Sequence, residues 1–272
     1  MNTRNLIRTA LAEDVGSGDI TTDTIVPEGL KVKARIVAGE TGVVCGLPLA
    51  REVFTVFDPE MEVKILLNEG DKIKKGTVLL KLKGSARTVL TCERLALNLL
   101  QMLSGIATLT SQYAKKTRRY GVTLLDTRKT TPGLRDIEKY AVTVGGGQNH
   151  RAGLYDGTLI KDNHIKIAGS IANAVNAVKV KYPGELIEVE AQNLKEVEEA
   201  LAANIDVIML DNMSIKDMKK AVRLVNKSCR LEISGGVNLK TVEKFAKLGV
   251  DYISVGALTH SAKSLDLSLD IM

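Results

Sequence analysis

The chain has 272 residues, of which 44% are hydrophobic and 26% are charged, and its net charge is +6. This length predicts a globular protein with a large core, while three well-separated cysteines exclude a disulfide framework and a sequence-local zinc site. The lack of a signal segment and of an apolar run of about 20 residues predicts a cytoplasmic protein that does not enter a membrane. The positive charge favours anionic partners, which include nucleic acid, an acidic surface and phosphorylated metabolites.

The N-terminal part of the chain mixes short strands with helices. Helices are predicted at 5–13 and 47–57, and strand-like runs occur at 32–38, 61–67 and 77–84. The alternation of apolar and polar residues in these runs predicts strands that are buried on one face. We interpret this part of the chain as a small β-rich platform.

A long helix is predicted from 86 to 119. Leu95, Leu99 and Ile106 recur at helical spacing, and the Ser104-Gly105 pair is a candidate kink. After this helix, at Gly121, the pattern of the chain changes.

From Gly121 onwards, strand-like and helical stretches alternate. The strand-like runs are 122–126, 158–162, 186–190, 206–211, 230–234 and 251–256, and helices are predicted at 170–181, 194–203, 214–226 and 238–248. Strands joined by helical crossovers predict a parallel sheet. A closed eight-stranded barrel typically needs ~250 residues, more than this part of the chain provides. We therefore predict a truncated or open α/β barrel, with a doubly wound sheet as the alternative, although no GxGxxG fingerprint follows the first strand.

Carboxylates end three of the predicted strands. Asp126, Glu190 and Asp211 occupy these positions. In a parallel α/β barrel this edge carries the active site, and carboxylates there can hold Mg²⁺, often through water, or ribose hydroxyls. The alternative interpretation is helix capping, which suits the segment 211–214 better than it suits Glu190.

Two basic segments also follow strand ends. The first contains Arg128 and Lys129, and the second, which is rich in glycine, contains His150, Arg151 and Lys161. Arginine offers a planar fork for a carboxylate or phosphate, and lysine offers a point charge. The lysine of the second segment lies on an apolar strand, where it is a candidate Schiff-base nucleophile or anion ligand.

The last two predicted strands end in glycine loops, ISGGV at 233–237 and SVGAL at 254–258. In barrels the loops after the final strands often form a phosphate site. Glycine lets backbone N–H groups approach the anion closely. Together with the basic segments, these loops predict a phosphorylated, polyanionic ligand.

These motifs together resemble one family over essentially the whole chain. The quinolinate phosphoribosyltransferases, also called nicotinate-nucleotide pyrophosphorylases (carboxylating), carry similar motifs in the same order. The motifs in this chain are EDVGSGDITTD (13–23), ERLALNLLQMLSGIAT (93–108), DTRKTTPGLRDIEKYAV (126–142), GGGQNHRAGLYDGTLIKDNH (145–164), IEVE (187–190), IMLDN (208–212), LEISGGV (231–237) and VDYISVGALTHS (250–261).

The resemblance implies a type II phosphoribosyltransferase fold, in which an N-terminal α/β sandwich is joined to an open, incomplete α/β barrel. Residues 1–105 then form the sandwich, residues 106–261 form the barrel, and residues 262–272 pack back on the sandwich. The resemblance also implies a homodimer in which the N-terminal domain of one subunit covers the barrel mouth of the other, and it is compatible with a hexamer.

The resemblance further implies a reaction of NAD biosynthesis that requires Mg²⁺. A phosphoribosyl group passes from phosphoribosyl pyrophosphate to quinolinate, and the products are nicotinate mononucleotide, pyrophosphate and carbon dioxide. The implied catalytic residues are Lys129, Lys161, Glu190 and Asp211.

The resemblance assigns a binding role to each remaining motif. Glu190 and Asp211 hold ribose hydroxyls and Mg²⁺, the latter through water. For His164 two roles stay open, orientation of the strand end at Lys161 and contact with the substrate. Arg94 reaches the site from the partner subunit. The implied ligands of the quinolinate carboxylates are Arg128, Lys129, His150, Arg151 and Lys161. The implied ligands of the 5′-phosphate are Ser234, Gly235, Gly236, Gly256, Ala257 and Leu258.

Three other interpretations stay open at this point. A paralogous transferase of the same fold, associated with molybdenum transport, would differ in its acceptor. A Schiff-base aldolase on a barrel would use Lys129 or Lys161 as its nucleophile. A nucleic-acid-binding protein would account for the positive charge, but no helix-turn-helix or zinc-finger pattern supports it and aromatic residues for stacking are scarce. We therefore expect no nucleic-acid partner.

Overall fold

The computed structural model describes residues 3–272, which form two compact units. The first unit extends to Leu109 and includes Asp136–Gly145 and Ala262–Met272, and the second consists of Thr110–Arg135 and Gly146–Ser261. The sequence analysis placed the division at 105 and assigned Asp136–Gly145 to the barrel. In the structure this segment belongs to the first unit, where the Tyr140 hydroxyl donates a hydrogen bond to Glu69.

Helices and short strands follow one another along the described residues. The helices are α1 (Thr3–Val15), α2 (Ile20–Ile25), α3 (Leu47–Phe57), α4 (Ala86–Thr117), α5 (Arg135–Val144), α6 (Asp162–Ala168), α7 (Ile171–Lys181), α8 (Leu194–Ala202), α9 (Ile215–Val225), α10 (Val242–Ala246) and α11 (Ala257–His260), and a 3₁₀ turn (Arg118–Tyr120) follows α4. The strands are β1 (Lys31–Ala38), β2 (Gly42–Val43), β3 (Glu62–Ile65), β4 (Lys72–Ile73), β5 (Val78–Ser85), β6 (Thr123–Leu125), β7 (Thr158–Ile160), β8 (Ile187–Ala191), β9 (Val207–Asp211), β10 (Arg230–Ser234), β11 (Tyr252–Ser254) and β12 (Leu267–Ile271). Among residues 3–272, no helix combines the length and the apolar character that a membrane crossing requires.

The first unit is built on an antiparallel sheet with the strand order β12-β1-β5-β3. The C-terminal strand β12 completes this sheet, with Leu267 opposite Ala38 on β1. A Cβ atom at Gly105 of α4 would lie 2.2 Å from the carbonyl oxygen of Lys263. The glycine therefore permits close packing of the C-terminal segment, and α4 continues through the position of the predicted kink.

The second unit contains a parallel sheet with the strand order β6-β11-β10-β9-β8-β7. Strands β7 to β11 lie side by side in chain order, and β6 returns beside β11. This is the cyclic order of a barrel, whereas a doubly wound sheet reverses its order at a switch point. Strands β6 and β7 are the two edges, so the barrel is open between them. The predicted fold class, an open α/β barrel with a separate α/β unit, is confirmed.

Most predicted elements lie at or near their expected positions. Helix α3 has the expected bounds, and α4 with the turn after it covers the predicted long helix. The helices α2, α5, α6 and α11 and the strands β2, β4 and β12 were not predicted from the sequence. Helix α6 shows why, because its seven residues begin soon after a buried strand and are too few to display a 3.6-residue period.

Candidate active site

A cavity of about 300 Å³ opens at the C-terminal ends of the parallel strands of the second unit. This is the edge of an α/β barrel at which active sites form. Its wall contains the predicted basic residues of the barrel, both predicted Mg²⁺ carboxylates and one predicted phosphate ligand. The lining residues are Thr127, Arg128, Lys129, His150, Arg151, Leu159, Lys161, Glu190, Met209, Asp211, Asn212, Ser234 and Ser254.

Two guanidinium groups form a positive wall of this cavity. The Nε atom of Arg128 is buried and has no hydrogen-bond partner among the described residues. Burial, and then the positive charge of Arg128, lower the pKa of Arg151. Two like charges held side by side, with a buried donor left unpaired, make a site for an anion.

Side-chain hydrogen bonds fix the loops that carry these cations. The Arg135 guanidinium donates from Nε to the Thr130 hydroxyl at 3.0 Å and from Nη1 to the carbonyl oxygen of Ala152 at 3.0 Å. The Thr259 hydroxyl donates to the carbonyl oxygen of Lys129 at 2.7 Å. The sequence analysis gave Arg135 no role, although it lies in the first basic segment.

Glu190 and Asp211 form the acidic side of the cavity. Lys161 makes an ion pair with Glu190, whose side chain is 12% exposed, and Asp211 accepts a hydrogen bond of 3.2 Å from the amide of Asn212. The segment after β9 does cap α9, as the alternative interpretation proposed, but it does so through the side chain of Ser214. The carboxylate of Asp211 therefore faces the cavity rather than the helix N-terminus.

Asp126 does not belong to this acidic side, which corrects the expectation of three carboxylates on one rim. Its side chain is fully buried and accepts the backbone N–H of His150 at 2.9 Å. The carboxylate thus holds the loop that carries His150 and Arg151, and its role is structural.

His150 touches two carboxylates that the sequence analysis missed. Its Nε2 atom lies 3.1 Å from Glu188 and 3.7 Å from Glu232, whose side chains are 12% and 2% exposed. Burial, and then the negative charge of Glu188, raise the pKa of Glu232 to about 8. On β8 and β10 these residues share a face with Glu190 and Ser234, two positions further along each strand. The two-residue period was the signal that could have identified them.

His164 contacts the backbone of Lys161, as the first of its two open roles requires. Its Nδ1 atom accepts the backbone N–H of Lys161 at 3.0 Å, at the start of α6. This bond fixes the strand end from which the Lys161 side chain reaches the cavity.

Only one of the predicted phosphate ligands lies in the cavity wall. Ser234 lines the cavity, whereas Gly235, Gly236, Gly256, Ala257 and Leu258 are not among its lining residues. The glycines adjoin lining residues instead: a Cβ atom at Gly235 would lie 2.2 Å from the Asn212 amide oxygen, and one at Gly256 would lie 3.0 Å from the Lys129 side chain. Leu258 is fully buried, so its predicted contact with the phosphate stays a prediction.

A further predicted site residue does not line the cavity, and five lining residues were not predicted. Arg94 is exposed on α4 in the first unit, and its implied role in a partner subunit's site stays a prediction. The lining residues that the sequence analysis did not predict are Thr127, Leu159, Met209, Asn212 and Ser254. Each is next to, or two positions along a strand from, a predicted residue, so only the fold decides which of them faces the cavity.

The chain is similar to known proteins along almost its whole length. The models for the N-terminal and C-terminal domains of quinolinate phosphoribosyl transferase match residues 19–104 and 106–270. A probable nicotinate-nucleotide pyrophosphorylase [carboxylating] of Synechocystis is 47% identical over 268 residues, which are 96% of this chain and 90% of that protein. A protein of the same name from Bacillus subtilis is 42% identical over 98% of this chain and 93% of its own length.

A solved structure agrees with these sequence matches. The crystal structure of nicotinate-nucleotide pyrophosphorylase from Ehrlichia chaffeensis superimposes with a TM-score of 0.97 at 43% identity, covering 100% of this chain and 99% of that one. Both domain models, full-length relatives and the cavity with its paired cations and carboxylates point the same way. The chain belongs to the quinolinate phosphoribosyl transferase family.

Proposed function

We propose that this protein transfers the phosphoribosyl group of phosphoribosyl pyrophosphate to quinolinate and releases carbon dioxide, pyrophosphate and nicotinate mononucleotide. The observation that carries this proposal is the pairing of Arg128 and Arg151 at one wall of the cavity, with a buried donor of Arg128 left unpartnered. A compact dianion such as a pyridine dicarboxylate satisfies both guanidinium groups at once.

The acidic side of the cavity suits the sugar and the leaving group. Glu190 and Asp211 offer carboxylate oxygens, which are ligands that Mg²⁺ prefers, directly or through water. Bound Mg²⁺ would supply charge neutralisation for the pyrophosphate group. The same carboxylates stabilise positive charge that develops on the ribose ring when the bond to pyrophosphate breaks.

The chemistry of the acceptor explains why the cationic wall matters. The pyridine nitrogen attacks the ribose carbon and becomes positively charged. The adjacent carboxyl group then leaves as carbon dioxide, its bonding electrons stay on the ring carbon beside the charged nitrogen, and a proton takes its place. Arg128, Arg151 and Lys129 hold the two carboxylates so that the ring nitrogen faces the sugar.

We propose that the protein is a homodimer in which Arg94 of the partner subunit completes each site. In support, Leu154 and Tyr155 directly follow the loop of Arg151 and are 76% and 89% exposed, an arrangement typical of surfaces that a partner covers. A hexamer, built from such dimers, and the cytoplasmic location stay predictions.

The geometry does not favour the aldolase alternative. A Schiff-base lysine attacks a carbonyl carbon through a free amine, and the Lys161 amine is engaged by Glu190 in an ion pair. For the phosphate ligands we propose that backbone N–H groups of the loops after β10 and β11 bind the 5′-phosphate, with Ser234 adding its hydroxyl.

One assay tests the proposed function. The protein is incubated with phosphoribosyl pyrophosphate, Mg²⁺ and quinolinate that carries ¹⁴C in the carboxyl group next to the ring nitrogen. We expect labelled carbon dioxide in step with nicotinate mononucleotide, and no turnover of nicotinate. Turnover of nicotinate without quinolinate would indicate a transferase with another acceptor. Borohydride trapping of a carbonyl substrate on Lys129 or Lys161 would support the aldolase.

A further inference from the structure

A buried polar cluster of His150, Glu188 and Glu232 adjoins the active-site cavity through His150. His150 belongs to the wall of this cavity and also to the wall of a second cavity of about 490 Å³. The second cavity is lined by residues at the opposite, N-terminal ends of the strands, among them Arg230 and Tyr252. The cluster therefore lies between the active site and the far end of the barrel.

The hydrogen bonds of His150 define its tautomer. The backbone N–H of Arg151 donates to Nδ1 of His150 at 2.8 Å, so Nδ1 carries a lone pair. The ring hydrogen of the neutral imidazole is then on Nε2, which lies 3.1 Å from Glu188. Nε2–H donates to this carboxylate, and both ring nitrogens are occupied by the protein itself.

The two carboxylates support this arrangement from neighbouring strands. Glu188 lies on β8 and Glu232 on β10, and in each the Oε1 atom is buried without a hydrogen-bond partner among the described residues. Buried acceptors of this kind are costly unless they serve a defined network. Their remaining oxygens converge on the single Nε2–H of His150.

The cluster has the residue types of a metal site, but the Nε2 atom of His150 carries a hydrogen where a metal ligand needs a lone pair. One ligand atom from each of His150, Glu188 and Glu232 lies within 4.8 Å of the others. Coordination through Nε2 would require its hydrogen to leave, and Nδ1 cannot take up that hydrogen as long as it accepts the Arg151 N–H. The observed bonds therefore favour a positioning network over a metal centre.

We propose that Glu188, backed by Glu232, is a positioning residue that holds His150 as the Nε2–H tautomer and thereby fixes the backbone and guanidinium of Arg151 in the anion site. This inference rests on the proposed function in one respect, because its kinetic test uses KM for quinolinate. His150 then supports Arg151 through its Nδ1 atom. This role does not require either ring nitrogen of His150 to touch the substrate.

The first test reads the tautomer without any activity measurement. The full chain contains three histidines, so selective ¹⁵N-histidine labelling gives three ring systems, and His164→Gln and His260→Gln variants assign them. At pH 7 we expect His150 to be the Nε2–H tautomer, and Glu188→Ala to convert it to a mixture. An Nδ1–H tautomer, or a Zn²⁺ titration that shifts the His150 resonances selectively, would overturn the proposal.

The second test separates positioning from general stability. We expect Glu188→Ala to raise KM for quinolinate about tenfold with little change in kcat, since lost positioning weakens binding of ground state and transition state alike. Glu188→Gln keeps an acceptor oxygen and should restore both KM and the tautomer, whereas Glu198→Ala, on an exposed position of α8, should change neither. Equal KM values for Glu188→Ala and wild type would refute the role of Glu188. Absence of turnover in the wild type would instead refute the proposed function, and the NMR result would still stand.

Discussion

The Arg135 guanidinium donates to the carbonyl oxygen of Ala152 at 3.0 Å, and so joins the two loops that carry the cationic wall of the cavity. Its Nε atom holds the other loop through the Thr130 hydroxyl. Arg128 precedes this hydroxyl by two residues, and Arg151 directly precedes Ala152. One side chain that lies outside the cavity wall thus sets the separation of the two arginines of the proposed anion site.

Arg135→Ala should lower kcat/KM for quinolinate by about tenfold to a hundredfold, because two loop hydrogen bonds worth on the order of 1 kcal/mol each are lost. Arg135→Lys, which can make one of these bonds, should fall between the variant and the wild type. Steady-state kinetics check this, with circular dichroism as a test of folding. A wild-type kcat/KM in Arg135→Ala would show that the loops keep their separation without it.

Arg128→Ala should reduce kcat/KM for quinolinate by about a hundredfold or more, since a charge-assisted, forked interaction with a carboxylate is worth about 3 kcal/mol. Arg223→Ala removes an equal charge from an exposed position on α9 and should leave the kinetics unchanged. If Arg128→Ala and Arg223→Ala changed kcat/KM by the same factor, the loss would be due to the net charge of the protein. The assignment of Arg128 to the anion site would then be wrong.

Two inactive variants should restore activity when they are mixed, if Arg94 acts in the partner's site. A hybrid dimer of Arg94→Ala and Lys161→Ala subunits contains one intact site, so an equal mixture should regain about a quarter of wild-type activity after subunit exchange. The measurement is turnover before and after exchange. No recovery, with hybrids demonstrated by native mass spectrometry, would place Arg94 in the site of its own subunit or outside it.

Glu232 should make the protein less stable as the pH rises through neutrality. Its pKa is raised from 4.5 to about 8 by burial and by Glu188, so between these values the native state binds a proton that the unfolded state lacks. The free energy of unfolding should therefore fall on going from pH 5 to pH 8, by on the order of a few kcal/mol at most. Glu232→Gln should flatten this dependence.

Urea unfolding of the wild type and of Glu232→Gln, at a fixed protein concentration and at several pH values between 5 and 8, measures how the free energy of unfolding depends on pH. Glu198→Gln, an exposed change of the same type, should retain the wild-type slope. A slope that survives in Glu232→Gln would assign the pH dependence to other groups.

Gly235→Ala should impair the protein more than Gly249→Ala does. Both glycines have a positive φ, +83° and +82°, so alanine costs about 1 kcal/mol of backbone strain at either position. Only at Gly235 does the added Cβ meet another group, the Asn212 amide at 2.2 Å, whereas Gly249 has nothing within 4 Å. Gly235→Ala should lower the melting temperature and raise KM for phosphoribosyl pyrophosphate more than Gly249→Ala does. Equal effects of the two variants would show that the Asn212 side chain moves aside without cost.

Hydrophobic spacing was sufficient to predict the elements with long or strict periods, and the positions of polar residues along the chain were sufficient to predict most of the candidate site. Helix α3 and the alternating strands and helices after Gly121 followed from hydrophobic spacing, because each pattern recurs often enough to be distinguished. Arg128, Lys129, Lys161, Glu190 and Asp211 were identified because each lies at or near a strand end, and parallel strands bring their C-terminal ends to one edge.

The contacts of the remaining polar residues depend on how distant segments meet in the folded chain. Asp126 has the same position at a strand end as Glu190, yet it is buried against the His150 backbone, a difference that depends on a contact 24 residues away. Glu188 and Glu232 are far apart in sequence and meet at His150 because β8 and β10 flank β9 in the sheet. Contacts between distant segments leave no local period in the sequence, so the support of the anion site becomes visible only in the folded chain.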